Sequence, residues 1–353
     1  MKKEMMLIIE MVAILAMVPS ACADAIIIDH TCTDLSEIPD EWIEEAKAMF
    51  NMSYGHTSHG SQIVTGMSLL RGSSGSLYWY DNDGTNGGLS LHDGTPSGDL
   101  GNPGRYIWAT RTRTMLDDSN NDRNVVMWSW CGQADTTEAN MQIYLDLMSG
   151  LETDYPGVTF IYMTGHLTGT GKDGNLNQRN NQIRAHCIAN NSVLFDFADI
   201  ESYDPDGDTN FMELYANDNC DYNDGNWAGK WCAAHPGSDL CSSCKCAHSQ
   251  SLNCNLKGRA FWHMMARLAG WDGSQPEQPI CGDVTDDGSI DTVDLVLLLK
   301  HCVNPTGNPI AHVCTGDIDG NGYINVLDVR LLMGYLTNPT GYSLNCLCAG
   351  VRS

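Results

Sequence analysis

Two twelve-residue segments near the carboxyl terminus carry oxygen-bearing side chains at matching positions. The first begins at Asp283 and ends at Asp294, and the second begins at Asp317 and ends at Asp328. Each has a glycine at position 6, and Ca²⁺ prefers six to eight oxygen ligands in such a loop. The spacing therefore predicts two Ca²⁺ ions. The predicted ligands are Asp283, Thr285, Asp287, Ser289, Asp291 and Asp294 in the first loop and Asp317, Asp319, Asn321, Tyr323, Asn325 and Asp328 in the second.

The elements that follow the two segments also repeat. Each loop continues into an apolar, helix-like stretch, at residues 295–299 and 329–336. Both copies then reach the tetrapeptide Asn-Pro-Thr-Gly, at residues 304–307 and 338–341. A repeated motif of this kind indicates one structural unit used twice.

This duplicated loop and helix resembles a type I dockerin, over residues 281–348. The resemblance implies a small all-α, calcium-binding domain whose partner is a cohesin domain of a scaffold protein. In dockerins, loop positions 10 and 11 face that partner. Here these are mostly apolar, which favours a hydrophobic docking patch made of Thr292, Val293, Val326 and Leu327. The alternative is that the two ions only stabilise a small domain.

The first residues have the pattern of a signal peptide, which we place at 1–23. Lys2 and Lys3 precede an apolar run, and Ala21-Cys22-Ala23 forms a small-residue cleavage site. No later stretch is apolar for 18 residues, so we predict a secreted protein without a membrane span. The remaining chain divides into a first domain at 24–272, a linker at 273–280 and the dockerin-like domain at 281–348.

The charge of the chain bears on its class of partner, and its cysteine content bears on disulfides. The chain has 44 acidic against 19 basic residues, a formal charge of −25, which argues against nucleic acid as a partner. It also has 15 cysteines, and in an exported protein these predict disulfides. Outside the signal peptide each domain contains an odd number of cysteines. Either one bridge joins the domains, or each domain keeps a free thiol.

The first domain alternates strand-like and helix-like segments. Apolar, β-rich runs lie at 124–130, 158–164 and 193–196, and helical patterns lie at 136–151, 178–189 and 255–268. Strands that alternate with helices predict a parallel α/β sheet. Such sheets place their sites at the carboxyl ends of the strands.

Four segments there carry residues that suit acyl transfer. They contain Ser58, Gly101, Gln133 and His248, which supply a nucleophile, oxyanion donors and a base. His56 and His59 flank Ser58 and either orient the site or only hydrogen-bond the turn.

In this order the segments resemble an SGNH-type hydrolase, across most of residues 45–272. The resemblance implies a three-layer, flavodoxin-like fold and a serine esterase. Ser58 would be the nucleophile, His248 the base, and Gly101 and Gln133 part of the oxyanion hole. Two positions depart from the family: Gln133 replaces Asn, and Lys245 stands where an Asp usually orients the histidine. The nearest upstream acid is Asp239.

Three functional hypotheses follow. The first is an exported serine esterase, such as a carbohydrate O-deacetylase acting on a polysaccharide. The second is a non-catalytic binding or scaffold protein that keeps the hydrolase fold. The third is a zinc-stapled domain built on His248 and the nearby cysteines, although in an exported chain disulfides are the preferred interpretation of Cys232, Cys241, Cys244, Cys246 and Cys254.

Overall fold

The computed structural model describes residues 24–274 and 279–348. The chain divides into two compact units, with the boundary between Gly273 and Ser274. The predicted signal peptide and part of the predicted linker lie outside the described residues.

The first unit is built on a seven-stranded sheet in which every strand pairing is parallel. The strand order is β1-β7-β6-β5-β2-β4-β3. The strands are short and largely buried, as expected where helices cover both faces of a sheet. Their bounds are β1 Ile26–Ile28, β2 Asn51–Gly55, β3 Tyr80–Asp81, β4 Leu89–Asp93, β5 Val125–Trp128, β6 Thr159–Met163 and β7 Val193–Phe195.

Helices connect these strands and pack in two groups, which gives the predicted three-layer α/β architecture. Helix α8 packs against α1 and α2, whereas α4 packs against α3 and α5. A two-stranded antiparallel hairpin of β8 (Asp221–Tyr222) and β9 (Gly225–Asn226) precedes α7. The helices of this unit are α1 Asp40–Met49, α2 Ser61–Leu70, α3 Ile107–Leu116, α4 Glu138–Asp154, α5 Asn175–Asn190, α6 Phe197–Ile200, α7 Trp227–Ala234 and α8 Ser251–Ala269.

Helices α2 and α8 approach each other closely because glycines face each other at their crossing. A Cβ on Gly66 would lie 1.8 Å from the carbonyl oxygen of Cys254, and one on Gly258 would lie 2.3 Å from the carbonyl carbon of Gly66. Real Cβ atoms do not come this near to backbone, so both positions require glycine. The contact fixes the segments at the amino ends of α2 and α8 relative to each other.

The second unit contains α9 Thr292–Val303, α10 Val313–Gly316 and α11 Val326–Thr337. Its small core consists of Val284, Leu298, Ile310, Ile318 and Leu332. The disulfide Cys281–Cys346 joins the two ends of this unit to each other. The disulfide Cys314–Cys348 joins its carboxyl-terminal end to its middle. A core this small needs such additional constraints.

The elements predicted from hydrophobic patterns are confirmed, with the helices one to four residues longer at most ends. Four disulfides form, each within one unit, and each unit retains free cysteines. The second of the two alternatives for the odd cysteine counts is therefore correct. Within residues 24–274 and 279–348, no helix combines the length and apolar character needed to cross a membrane.

Candidate active site and calcium loops

The order in which strands are added to the sheet switches sides between β2 and β5. From β2 the chain first fills β3 and β4 on one side and then β5, β6 and β7 on the other. In open parallel sheets, the crevice beyond the carboxyl ends of the strands at this switch point is the usual ligand site. Ser58 and His59 follow β2, and Cys131 follows β5, so the loops that carry them meet at this crevice.

His59 is the centre of a hydrogen-bonded series of three side chains. Its Nδ1 lies 3.1 Å from the Cys131 Sγ, and its Nε2 lies 3.0 Å from an Asp218 carboxylate oxygen. Asp218 is fixed in turn because its backbone N–H donates to the carbonyl of Leu167, four residues after the end of β6. A nucleophile-capable atom, an imidazole and an orienting carboxylate in series are the parts of an acyl-transfer site.

Two further histidines stack on His59. The ring of His166 lies 3.8 Å from it, and the ring of His248 lies 4.3 Å from it, both nearly parallel. His59 is buried whereas His248 is exposed, so His248 covers the buried ring from the solvent side. The stack restrains the orientation of the His59 imidazole without using either of its nitrogens.

The electrostatics of the cluster favour a neutral His59 beside an ionised Asp218. Burial lowers the pKa of His59, and the hydrogen bond with Asp218 raises it. The charges of His166 and His248 lower it further, so the pKa of His59 lies below its usual value. Burial acts to raise the pKa of Asp218, but the hydrogen bond with His59 and the charges of His166 and His59 outweigh it, so the pKa of this carboxyl is lowered. A neutral imidazole that donates from Nε2 has Nδ1 available to accept a proton.

Ser58 and His248, the predicted nucleophile and base, both lie at this crevice. The Ser58 Oγ is 3.6 Å from the Cys131 Sγ, and His248 contacts the ring of His59. Among the described residues, no hydrogen bond joins Ser58 to His248 or to any other histidine. The direct pairing of these two residues therefore stays a prediction. The imidazole that contacts the Cys131 thiol is that of His59.

The two predicted oxyanion residues are adjacent to each other. A Cβ on Gly101 would lie 3.0 Å from the Gln133 Cβ, and Gly101 has a positive φ of 79° that glycine adopts most readily. The Gln133 Oε1 accepts the backbone N–H of Cys131 at 3.0 Å. Among the described groups, neither the Gly101 N–H nor the Gln133 Nε2 has a hydrogen-bond acceptor. Both donors remain available to a bound substrate.

A buried polar network holds the His248 segment against α2. Gln62 donates to the carbonyl of Ala247 at 2.6 Å and accepts from Lys257, which also pairs with Glu201 at 2.9 Å. Lys257 and Glu201 are completely buried, so each charge depends on the other. The network places His248 in a left-handed backbone conformation with φ 62° at the rim of the crevice.

The structure bears on two sequence-based predictions for this region, the zinc site and the position of Asp239 near His248. Cys232–Cys241 and Cys246–Cys254 form disulfides, so the zinc site built on these cysteines is wrong because four of the five sulfurs are already bonded. Asp239 pairs with Arg259 at 2.7 Å. The acid that contacts a histidine of the cluster is Asp218.

A metal ion could still use the histidine cluster. One ligand atom from each of His59, Asp218 and His248 lies within 4.8 Å of the others. The present contacts, however, commit both nitrogens of His59 to hydrogen bonds with Cys131 and Asp218. This pattern favours proton transfer over coordination.

Cys131 and Asp218 were missed by the sequence-based analysis. Cys131 had a detectable signal, because it follows a buried strand within the segment that also contains Gln133, and thiols at such positions are candidate nucleophiles. Asp218 had none. It lies in an irregular segment between α6 and β8, and only the bridge between Thr168 and Asn217 brings it to the crevice.

A polar cavity of about 270 Å³ lies along the same edge of the sheet. Leu167, whose carbonyl accepts the Asp218 N–H, forms part of its wall. The polar lining consists of Asn177, Asn181, Arg184, Asp199, Ser202 and Asn210. Arg184 is already paired with Asp196, so the cavity offers amide and hydroxyl groups rather than an unpaired positive charge.

The two loops of the second unit have the same internal geometry. In each, the aspartate at position 1 accepts the N–H of the glycine at position 6: Gly288 to Asp283 at 2.8 Å and Gly322 to Asp317 at 2.7 Å. Both glycines have positive φ, 83° and 89° respectively. The sharp turn that the sequence predicts at position 6 is therefore present in both copies.

The last residue of each loop is the third residue of the following helix and helps to cap it. Asp294 forms a capping box with Asp291, and Asp328 forms one with Asn325. Asp283, Asp294, Asp317 and Asp328 are all buried, and no lysine or arginine within residues 24–274 and 279–348 pairs with them. Buried carboxylates without a basic partner need a cation, so the donor set fits calcium.

Comparison with known protein families gave a match to the Dockerin type I domain at residues 281–337. Residues 281–337 are a dockerin type I domain. Dockerin type I domains bind calcium, and their presence tethers a chain to a complex that contains cohesin domains. No curated protein and no solved structure gave a significant match to the chain.

The dockerin domain exposes the residues predicted to face cohesin. Val293, Val326 and Leu327 are each more than half exposed, and Thr292 is exposed as well. They occupy equivalent positions at the start of α9 and α11, next to the two loops. Calcium binding and the shape of this surface are thus linked through the same capping residues.

Proposed function

We propose that the α/β unit hydrolyses carboxylic esters and that the dockerin domain holds this activity in an extracellular, cohesin-bearing complex. One observation supports the ester chemistry above all: His59 hydrogen-bonds Asp218 on one side and the Cys131 thiol on the other, and the Ser58 hydroxyl lies next to that thiol. In this arrangement the imidazole accepts a proton from the nucleophile, and Asp218 stabilises the resulting positive charge. The Gly101 N–H and the Gln133 amide are available to bind the oxyanion.

The substrate class follows from the cavity and the dockerin together. Amide and hydroxyl groups line the cavity beside Leu167, and such groups suit a hydroxyl-rich molecule. Dockerins occur on enzymes that act on polysaccharides, although this is an argument by analogy. We therefore propose an acetylated carbohydrate as the substrate, with two Ca²⁺ ions bound by the predicted ligands of the dockerin domain.

The test is ester hydrolysis by the full chain with calcium present. We expect 4-nitrophenyl acetate and acetylated xylan to release acetate, and we expect His59→Gln to lower kcat by at least about 10³-fold because the base is lost. The matched control is His235→Gln, since His235 is exposed and stacks on Trp231, outside the cluster. Equal activity of His59→Gln and the parent chain would rule out the mechanism.

A non-catalytic binding role is the second candidate, and the short polar cavity supports it independently of the cluster. In that case the folded chain would bind acetylated oligosaccharide, measured by calorimetry, without releasing acetate. Treatment with 1,10-phenanthroline at constant calcium separates a third outcome. Loss of hydrolysis under that treatment would indicate a transition metal at His59, Asp218 and His248.

A further inference from the structure

We infer that the thiol of Cys131, rather than the hydroxyl of Ser58, is the nucleophile of the α/β unit; this rests on the proposed ester hydrolysis. The Cys131 Sγ lies 3.1 Å from the Nδ1 of His59. Ser58 Oγ has no histidine partner among the described residues, and its hydrogen-bond contact is with the Cys131 Sγ, at 3.6 Å. The His59 base therefore contacts the Cys131 sulfur, and the Ser58 hydroxyl lies beside that sulfur.

The chemistry of the two groups agrees with this geometry. A serine hydroxyl needs a base in direct contact, because its proton is very weakly acidic. A thiol ionises far more readily and is intrinsically more nucleophilic. The His59 base contacts the Cys131 thiol, and Ser58 is placed to donate a hydrogen bond to the thiolate that forms.

The other free cysteines of the unit are held differently. Burial raises the pKa of Cys32 to about 11 and that of Cys220 to about 12, which makes both thiols unreactive. Cys187 is buried at the inner face of α5, and burial raises the pKa of Cys244, the fourth of these thiols. Cys131 alone among the described free cysteines contacts an imidazole, and it lies half-exposed at the switch point of the sheet.

The proposed reaction has two halves. In the first, the Cys131 proton moves to the Nδ1 of His59, and the thiolate attacks the acyl carbon of the ester. The tetrahedral intermediate collapses, the C–O bond breaks, and the leaving alcohol takes the proton from His59, which leaves a thioester on Cys131. In the second, water attacks the thioester while His59 accepts its proton, and the thiol is restored as the carboxylic acid leaves.

Asp218 is a positioning residue in this scheme. It holds the His59 ring through Nε2, so that Nδ1 points to sulfur. The groups facing the thiol and its base are Ser58, His59 and, through the His59 ring, Asp218, His166 and His248. The thiolate is formed beside an imidazolium that these neighbours restrain.

Alkylation of the free thiol tests activation without needing a substrate. The calcium-loaded full chain is treated with iodoacetamide between pH 5 and 9, and labelled peptides are quantified by mass spectrometry. We expect iodoacetamide to label Cys131, and we expect the labelling rate to fall at least tenfold in His59→Gln at each pH. Cys302 is the internal control because it is a free cysteine in the other unit, and its rate should not change. A Cys131 rate that is independent of His59 would overturn the inference.

Kinetics and trapping of the acyl intermediate then identify the nucleophile. We expect Cys131→Ala to lose at least about 10³-fold in kcat and Ser58→Ala to lose about tenfold or less. Acid-quenched turnover should give an acyl adduct on the Cys131 peptide that hydroxylamine removes. An adduct on Ser58, with activity lost only in Ser58→Ala, would overturn this inference and leave the proposed function intact. No hydrolysis by the unmodified chain would overturn the proposed function and this inference together.

Discussion

The dockerin loops bury Asp294 and Asp328 with no basic side chain beside them, whereas the α/β unit buries Glu201 against Lys257 and half-buries Asp218 against His59. In the loops, the balancing charge is an ion that must come from solution. In the α/β unit, Lys257 supplies the charge that balances Glu201, and Asp218 accepts a hydrogen bond from the neutral His59. One unit therefore depends on the calcium concentration, and the other depends on the proton concentration.

The two sites also differ in how they are assembled. Each calcium loop has all of its predicted ligands within twelve consecutive residues, so its geometry is set by one local turn. The histidine cluster gathers His59, Cys131 and Asp218 from three separate segments, and it depends on the sheet and on the contact between α2 and α8. A substitution in the loops should act locally, whereas one in the cluster should act on chemistry.

The largest effect is expected from Asp218→Asn. An amide in place of the carboxylate favours the wrong His59 tautomer and does not stabilise the imidazolium. We expect kcat for ester hydrolysis to fall by about 10³- to 10⁴-fold. The measurement is steady-state hydrolysis of 4-nitrophenyl acetate, with circular dichroism to show that both units stay folded.

The matched control for this change is Asp239→Asn. Asp239 is the acid nearest to His248 in the upstream sequence, yet it is exposed and pairs with Arg259. An exposed ion pair contributes about 1 kcal/mol or less to stability, so activity and stability should stay nearly the same. Activity that depends on Asp239 rather than on Asp218 would contradict the site as described.

The contrast between the two sites also explains what the sequence could predict. The two loops could be recognised in the sequence because their residues are contiguous and repeat, and both lie within the residues that match the Dockerin type I domain. The strands before Cys131 and His166 were predicted because buried parallel strands are apolar throughout. Asp218 was not predictable, since its position depends on a bridge between Thr168 and Asn217 that no local pattern encodes. The thiol–imidazole contact likewise depends on the order of strands in the sheet.

Removal of calcium should separate the two units. Ligand binding to the folded state alone stabilises it by about 4 kcal/mol when the free ligand is at 1,000 times its Kd. We therefore expect EGTA to lower the melting temperature of the dockerin domain and to abolish cohesin binding, while ester hydrolysis by the α/β unit is retained. Differential scanning calorimetry with and without calcium measures the first effect.

Two substitutions within one loop sharpen this prediction. Asp294→Asn removes a buried carboxylate at position 12, so it should weaken calcium binding and lower the melting temperature. Asp286→Asn changes an acid at position 4, which is not a predicted ligand and has a positive φ of 62° that asparagine tolerates. Equal calcium affinities of the two variants would contradict the ligand assignment.

The smallest expected effect is acid sensitivity of the α/β unit, and it comes from His263 in α8. This side chain is buried, its Nδ1 has no hydrogen-bond partner in the part of the chain that the structure describes, and burial together with Arg267 lowers its pKa to about 4. The unfolded chain protonates the same group near pH 6.5. Stability is therefore complete above about pH 6.5, and about 3 kcal/mol is lost as the pH falls from there to about 4.

His263→Phe should flatten this dependence, because a phenyl ring fills similar space and does not bind a proton. The measurement is the urea midpoint of the α/β unit between pH 7 and 4, with the exposed His235→Phe as control. Some slope should remain, since burial also lowers the pKa of His59, His92 and His186 and each contributes in the same direction. If His263→Phe kept the full slope, the acid sensitivity would arise at the other histidines, and its assignment to His263 would be wrong.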